Sequence, residues 1–537
     1  MADAQAIVRR LDALKAERHK HESAWSECYD YTFPERGAGL SGRSFDSQTD
    51  QSRKNRILDD TAIDAARILA ASIVSGTTPS NSLWFALSMG DDDEEDDDSE
   101  DRWLDRVARS LFDNIHASNF DAAAFEFATD LVVSGWPALY INELPEGGLH
   151  FEQWPVGQCY VSASKSGGLI DTIYREVEMT VEQVVTQYGL DKVSDAVRQR
   201  YAAEKYDDKI LICHAIYPRS VHATNARMAK NLPVASCHID VSNKHIMRES
   251  GYHEFPCVVP RWMLIPGSAY ATGPVSSALG SIRTINDIKA MELAAMDVAV
   301  AGMWIAEDDG VLNPRSIKLG PRKIIVANSV DSMKPLQSGA NFQVSFTAEE
   351  RLQASIRKML LADQLQPQDG PAMTATEVHV RVQLIRQLLG PIYGRLQAEY
   401  LKPMIERCFG LAYRAGVFGE APQEMQGKTF TVKYVSPLAR AQKLEEATAI
   451  DQYIAGAIGM AQVSPDVIDT IDFDKAQKIK GEALGVPASV MRPADEVAAM
   501  RKARAEQQQQ QQAAAMQQEL ISKAAPAVIG GAMKGMQ

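Results

Sequence analysis

The sequence predicts an α+β protein, mainly α, built from more than one domain. Three observations carry this. Apolar residues recur every three or four positions over several long segments, short alternating apolar runs replace that period between about 130 and 265, and a length of 537 residues exceeds one ordinary domain. At roughly 100 to 200 residues per domain, two to four are expected.

Near 7–30, Ile7, Leu11, Leu14, Trp25 and Tyr29 lie among charged residues at spacings that predict an amphipathic helix. The Gly- and Ser-rich stretch Tyr31 to Asp50 then reads as a loop. Asp60-Thr61 are candidate caps for a second helix carrying Ile63, Ala66, Leu69, Ala70 and Ile73, which is expected to stop before Gly76 and Pro79. A further helix runs from Trp103 through Val107, Leu111 and Ile115. Beyond about 130 the pieces Ala138 to Ile141, Leu211 to Ile216 and Cys257 to Val259 read as strands of mixed α/β material.

After Gly273-Pro274, the positions Val275, Leu279, Ile282, Ile285, Ile288, Met291, Ala295 and Val298 make one long helix, to about Gly302. From Met303 to Phe346 short strand-like pieces return: Met303 to Ile305, Lys323 to Val326 and Phe342 to Val344. Thr347 with Glu350 forms a capping-box pattern for the next helix, with Leu352, Ile356, Met359 and Leu360 on one face. Gln366 to Met373 is a break bearing Pro and Gly. Thr374 and Glu377 repeat the capping box, and Val378, Val382, Ile385, Leu389, Ile392, Leu396 and Tyr400 continue an apolar stripe toward Phe409. Over about 40 residues at 1.5 Å each, such a helix spans about 60 Å. Gly390, Pro391 and Pro403 fall inside it and are expected to kink it, because the register resumes beyond them. Thr429 to Val435 alternates as a strand. Ala- and Gln-rich helical pieces follow, with Gln507 to Gln512 readable as a solvated helix or a disordered tail.

Charge narrows the function. There are 70 acidic against 56 basic side chains, and ten of the eleven positions from Asp91 to Asp101 are acidic. With those ten set aside, 60 acids face 56 bases, so the body lacks the basic excess of a conventional sequence-specific DNA-binding domain. The acidic run itself reads as a solvated loop. The six cysteines, Cys28, Cys159, Cys213, Cys237, Cys257 and Cys408, form no close pair, which fits a reducing cytoplasm. No apolar secretion signal follows Met1. The most apolar long stretch, Ala290 to Ala306, contains Glu292 and Asp297, so no membrane insertion is expected.

Signatures of catalysis fail on context. Gly37 to Gly42 matches Gly-x-Gly-x-x-Gly, but no strand precedes it and no apolar helix follows, so a flexible loop is expected. Gly427-Lys428-Thr429 resembles the end of a phosphate-binding loop, yet Pro422 stands where its first glycine belongs and a strand follows. Cys237, His238, His245, His253 and Cys257 match no compact zinc spacing. No catalytic residue, metal or cofactor is assigned.

Several segments carry a resemblance in chain order. They are Asp59-Asp60-Thr61-Ala62 with Ser75 to Pro79 and Trp84-Phe85; Gly273-Pro274-Val275 with Ala278-Leu279; and Gly310 to Pro314. The most specific is Pro371 to Val378 through Arg381, then Leu389-Gly390-Pro391, Arg395-Leu396-Gln397 and Glu399, and Ser436 to Gln442 adds another. Together they resemble the head-to-tail connector, or portal protein, family of short-tailed bacteriophages.

The resemblance implies a homo-oligomeric ring, usually of twelve subunits, at one capsid vertex of the virion. Double-stranded DNA is packaged and ejected through it without sequence specificity. It implies capsid, scaffolding, terminase motor and tail adaptor proteins as partners, and assembly in the host cytoplasm. It also divides the chain into a wing (1–272), stem helix 1 (273–302), a small β-containing clip (303–346), stem helix 2 (347–365), a channel loop (366–373), a long kinked helix (374–417), a helical crown (418–492) and a C-terminal barrel or disordered tail (493–537). The channel-loop residues Gln366, Pro367, Gln368, Asp369, Gly370 and Pro371 are then DNA-facing; they are polar without being cationic, which lets them approach phosphate without gripping it. A tail or adaptor ring protein is the alternative, and a DNA-packaging enzyme a more distant one.

Overall fold

The computed structural model describes residues 3–40, 51–88, 98–222, 228–301, 303–306, 333–336, 342–365, 390, 392–419, 431–434, 437–461, 465–484, 486, 490, 492 and 496–512. They form an α+β protein, mainly helical, in two compact units: 1–84 with 111–417, and 85–110 with 418–537.

The first unit begins with α1 (Ala4–Asp30), capped by Asp3, whose carboxylate accepts from the Gln5 amide at 3.0 Å. Then come the short α2 (Gln51–Lys54), α3 (Thr61–Thr77), the strand β1 (Phe85–Ser88) of the second unit, and α4 (Asp98–His116), which passes from one unit into the other. Helix α4 starts inside the acidic run, earlier than the expected Trp103, at the end of a helix where acidic residues are favoured. Helix α3 does not stop before Gly76. It continues through it to Thr77, and the bare Gly76 leaves room for the Tyr393 hydroxyl, from which a Cβ would stand 2.2 Å. Helix α5 (Phe120–Ser134) has no counterpart in the sequence reading. Asp121, Ala122, Phe125 and Glu126 are exposed in its first half, but every residue from Phe127 to Ser134 is buried, so its second half has no polar face to produce a period.

Two antiparallel sheets follow. Strands β2 (Ala138–Glu143), β3 (Leu149–Trp154) and, later, β9 (Cys257–Val258) pair in the order β3-β2-β9. The larger sheet runs β4-β5-β6-β7-β8, from β4 (Cys159–Ser162), β5 (Thr172–Thr180), β6 (Lys209–Pro218), β7 (Val234–Asp240) and β8 (His245–Tyr252). Helices α6 (Val181–Tyr188) and α7 (Asp195–Ala202) lie between β5 and β6, and α6 opens with a capping box between Thr180 and Gln183. Strand alternation sorts the two faces of this sheet. Tyr174, Cys213, Ala215, Cys237 and Ile239 pack with Ile7, Leu11 and Leu14 of α1, while Ile210, Ile212 and Met247 pack with Val184 of α6 and Val197 of α7.

The Gly-rich segment after α1 is not a flexible loop over its described part. Leu40 is fully buried, and the buried Arg18 guanidinium donates to the carbonyls of Gly39 (3.2 Å), Gly157 (2.7 Å) and Cys159 (3.1 Å). It also pairs with Glu22 at 2.7 Å and lies 4.0 Å above the Tyr160 ring. A charge so enclosed is tolerable only because each donor is satisfied. All six cysteines are likewise buried, and none is in a disulfide.

The small strands β10 (Met263–Leu264) and β11 (Ala271–Thr272) lead into α8 (Pro274–Ala301). Strands β12 (Met303–Ala306) and β13 (Met333–Leu336) then pair antiparallel, and α9 (Phe342–Met359) and α10 (Ala362–Leu365) follow. Because α9 starts at Phe342, the expected strand at Phe342 to Val344 is helical, and the capping-box residue Thr347 is interior to the helix. The expected strand at Lys323 to Val326 lies outside the described residues. Past 392–396, a π turn (Gln397–Leu401) runs into α11 (Lys402–Arg414).

In the second unit, β1 pairs with β14 (Thr431–Tyr434), and α12 (Pro437–Ala461) packs with α13 (Phe473–Leu484). Gln507 to Gln512 form an exposed stretch of helix, the solvated alternative of the two expected.

Gly157 shows how tightly the first unit is closed: a Cβ there would stand 1.9 Å from the Ala38 carbonyl oxygen. Gly157→Ala is expected to cost about 1–3 kcal/mol through overpacking. Its chemical denaturation midpoint, compared with that of the parent chain, measures the loss.

Candidate functional site

The feature that organises the first unit is the base of α8. Gly273 and Pro274 open this helix, with Pro274 at the position where a missing N–H costs nothing. The glycine is demanded by a neighbour, since a Cβ at Gly273 would meet the Val132 carbonyl oxygen at 2.4 Å. Reciprocally, Gly135 ends α5 at φ 87°, and a Cβ on it would stand 2.2 Å from the carbonyl carbon of Thr272. Two backbones therefore cross in contact. Around the crossing Trp25, Trp136 and Tyr270 form a mutual aromatic cluster with centroids 5.2–5.5 Å apart.

Above this base, α8 is buried at Val275, Ala278, Ile282 and Ile285. Among those positions sits a buried polar residue, Asn286. Its side-chain oxygen accepts from the amides of Leu58 (2.7 Å) and Asp59 (3.2 Å), and its nitrogen donates to the Ile282 carbonyl at 2.8 Å. Asp59 in turn caps α3 by accepting from the Thr61 amide at 3.1 Å, so the capping side chain is Asp59 and not Asp60. Its other oxygen accepts from Gln353 of α9 at 2.8 Å. Further along, Lys289 pairs with Glu349 of α9 and lies 3.7 Å from Glu292, which also receives the Ser345 hydroxyl. The hydrogen bond that Lys289 donates to Glu349 raises its ammonium above the usual range, so it stays charged. One polar seam thus joins the start of α3 to both long helices.

A second clamp holds the segment preceding the crossing. Buried Arg261 donates from its backbone and from Nε to Glu399 (both 3.0 Å), and from Nη2 to Glu399 at 2.8 Å and to the Gly168 carbonyl at 2.9 Å. Arg395 donates to the Trp262 carbonyl at 2.7 Å, and the Trp262 amide donates to the Gly135 carbonyl at 2.8 Å. Glu399 lies in the π turn, four residues before Pro403, whose ring would crowd the Glu399 carbonyl in a regular α-helix. The wider turn accommodates the proline.

Of the residues singled out by sequence, Gly273, Pro274, Arg395 and Glu399 converge on this base, and Asp59 and Thr61 join the polar seam above it. Asn286, Glu349, Gln353 and Arg261 were missed. For Asn286 a signal existed, a polar side chain next to Ile285 within an apolar stripe. Gly390 is helical and exposed, and Pro403 sits in the first turn of α11. Pro391, the channel-loop positions Gln366, Pro367, Gln368, Asp369, Gly370 and Pro371, and Gly427-Lys428-Thr429 lie outside the described residues. Cys237 and His238 point to opposite faces of β7, and among the described residues no three His, Cys, Asp or Glu groups converge to hold a metal. Among them, too, no helix is long and apolar enough to cross a membrane.

Residues 4–491 match the family model described as bacteriophage head to tail connecting protein. Similar proteins include a probable portal protein of Bordetella phage BPP-1, 28% identical over 93% of this chain and 91% of the relative. A portal protein of Salmonella phage epsilon15 is 28% identical over 94% of this chain and 91% of its own length. A portal protein of Enterobacteria phage T3 is 20% identical, covering 85% and 83% of the two chains.

Asn286→Ala removes the acceptor for two amides beside a buried carboxylate, and is expected to destabilise the chain by about 1–3 kcal/mol. Asn286→Asp keeps the acceptor but sets a second buried carboxylate beside Asp59 and turns an oxygen toward the Ile282 carbonyl, so it should lose at least as much. Urea titration of both variants checks the order.

Proposed function

Because the chain belongs to the family of bacteriophage head to tail connecting proteins, with a bacteriophage portal function, we propose that it acts as one spoke of a closed ring of about twelve copies. The observation that carries this is the outer surface of the two long helices. Helices α8 and α9 satisfy each other along the polar seam, yet α8 leaves Met291 70%, Leu293 51% and Met296 42% exposed, and α9 leaves Phe346 48% exposed. Exposed Ala290 and Ala294 on α8 permit close helix approach. On α8 the exposed charges are Asp287 and Asp297 beside Arg283, which Glu27 pairs, and on α9 they are Arg351, Arg357 and Lys358 beside Glu350, so α8 is net acidic and α9 net basic. The two outer faces are complementary in charge and both partly apolar, which suits the α8 of one copy against the α9 of the next in a head-to-tail contact that closes by rotation.

In this reading α8 and α9 are the stem, the β12–β13 hairpin belongs to the clip, and 366–373 narrows the channel. The near-neutral body suits passage of double-stranded DNA, since each phosphate neutralised by a cation strengthens a sequence-independent grip. The work is structural: the ring takes its place in the virion at one capsid vertex, and the terminase motor and later the tail proteins dock on it.

Light scattering and electron microscopy test the ring. Particles many times the 59.0 kDa chain, with a central hole of duplex width, are expected. The double variant Met291→Glu with Leu293→Glu should shift them to monomers while its circular dichroism stays that of the parent. A parent chain monomeric across concentration and salt overturns the reading. For the channel loop, deletion of Gln368 to Gly370 should leave rings intact but lower the yield of DNA-filled particles; normal yields reject that role.

A further inference from the structure

On the face of the larger sheet that carries α6, His214 of β6 and His238 of β7 stand directly opposite each other. Their half-buried rings lie 3.9 Å apart between centroids and 18° from parallel. Each ring has one more polar neighbour: His214 Nε2 is 2.9 Å from Ser236 Oγ, and His238 Nδ1 is 2.9 Å from the Tyr188 hydroxyl at the end of α6. Trp154 of β3 meets His214 edge-on at 5.7 Å. It also stacks at 4.7 Å on Tyr140 of β2, whose hydroxyl lies 2.8 Å from that of Tyr252 in β8. The two imidazoles therefore stand where the larger sheet, the smaller sheet and α6 meet.

We propose that this stacked pair is an acid-sensitive latch, joining the three elements while both rings are neutral and releasing α6 and β3 when either ring takes up a proton. The surroundings of the rings make a proton unwelcome. From β5 comes Arg175, which lies 4.8 Å above the Trp154 ring and pairs with Glu152 of β3 at 2.6 Å. From β8 comes Arg248, directly opposite His238. Asp240, on the same face of β7, is engaged by Ser194 at 2.9 Å and by Asn243 at 2.7 Å. Tyr188, Tyr140 and Tyr252 complete the set, and both carboxylates in it already have partners. A proton on one ring then meets two guanidinium groups, and a second proton on its partner would set like charges face to face, so charging the pair works against the contacts that hold it.

Burial, and then Arg248, pushes His238 down to about 4; burial, and then His238 itself, holds His214 well below the usual imidazole range. Both folded values lie below the unfolded value of about 6.5. The stability held by the neutral pair is thus complete above about pH 6.5 and is lost as pH falls from there toward 4.

Two measurements on the full assembled chain test the latch. Hydrogen–deuterium exchange at the imidazole C2 carbons, followed by mass spectrometry, should show neither histidine titrating near pH 6.5. Amide exchange across 149–154 and 181–188, corrected for intrinsic rates, should show an opening constant that rises up to about 100-fold per pH unit lost between 6.5 and 4, as two protons require. His214→Gln or His238→Gln should reduce that to about tenfold. Wild-type midpoints near 6.5, or folded variants with unchanged steepness, overturn the proposal. If neither variant folds, the wild-type imidazole titration decides alone.

Discussion

Everything in the first unit is placed by one close approach, the contact between the backbone leaving α5 at Gly135 and the backbone entering α8 at Thr272-Gly273. No side chain fits on either side of it. The geometry leaves the tilt of α8 no freedom at its root, and neighbouring interactions reinforce it. The Trp262 amide bonds to the Gly135 carbonyl, Arg395 holds Trp262, and Glu399 holds Arg261. A long helix attached by a hinge would sample many directions; attached by a backbone crossing, it has one.

The polar seam adds a second kind of information. Apolar burial along α8 fixes which stripe faces inward but tolerates small axial slides, because methyl groups are interchangeable neighbours. Asn286, Asp59 and Gln353 are not interchangeable. A slide of one turn, about 5.4 Å, would strand two amides and a carboxylate together. The seam therefore sets the axial register of α8 against α3 and α9, as a polar residue sets register in a coiled coil.

How much of this was legible in the sequence follows from what each residue faces. Helix α8 was readable because Val275, Ile282 and Ile285 meet the core while Arg283 and Asp287 meet water, and the strands at 138–141 and 211–216 were readable from their short apolar runs. Helix α5 was hard to see because its second half, Phe127 to Ser134, is buried all round, and in its exposed first half Ala122 and Phe125 are apolar, which blurs the period. Gly37 to Leu40 read as flexible because nothing local reveals that Arg18, about twenty residues earlier, will gather its carbonyl. Phe342 to Val344 have residue types that favour strands, and the packing of α9 along α8 overrides that preference. The Arg261–Glu399 clamp joins residues 138 positions apart, a distance over which a single sequence carries no pairing signal.

The buried cysteines have a consequence for the chemistry the chain meets outside a cell. Burial raises the thiols of Cys28, Cys159 and Cys408 to about 12, and moves Cys213, Cys237 and Cys257 upward as well. At neutral pH a thiol with a value near 12 is ionised in only about one molecule in 10⁵, and the thiolate is the species that oxidants and alkylating agents attack. The folded chain is therefore insulated from its redox surroundings without a disulfide. Its sulfur atoms become reactive only when the cores around them open, so the rate of thiol modification is a clock for those openings.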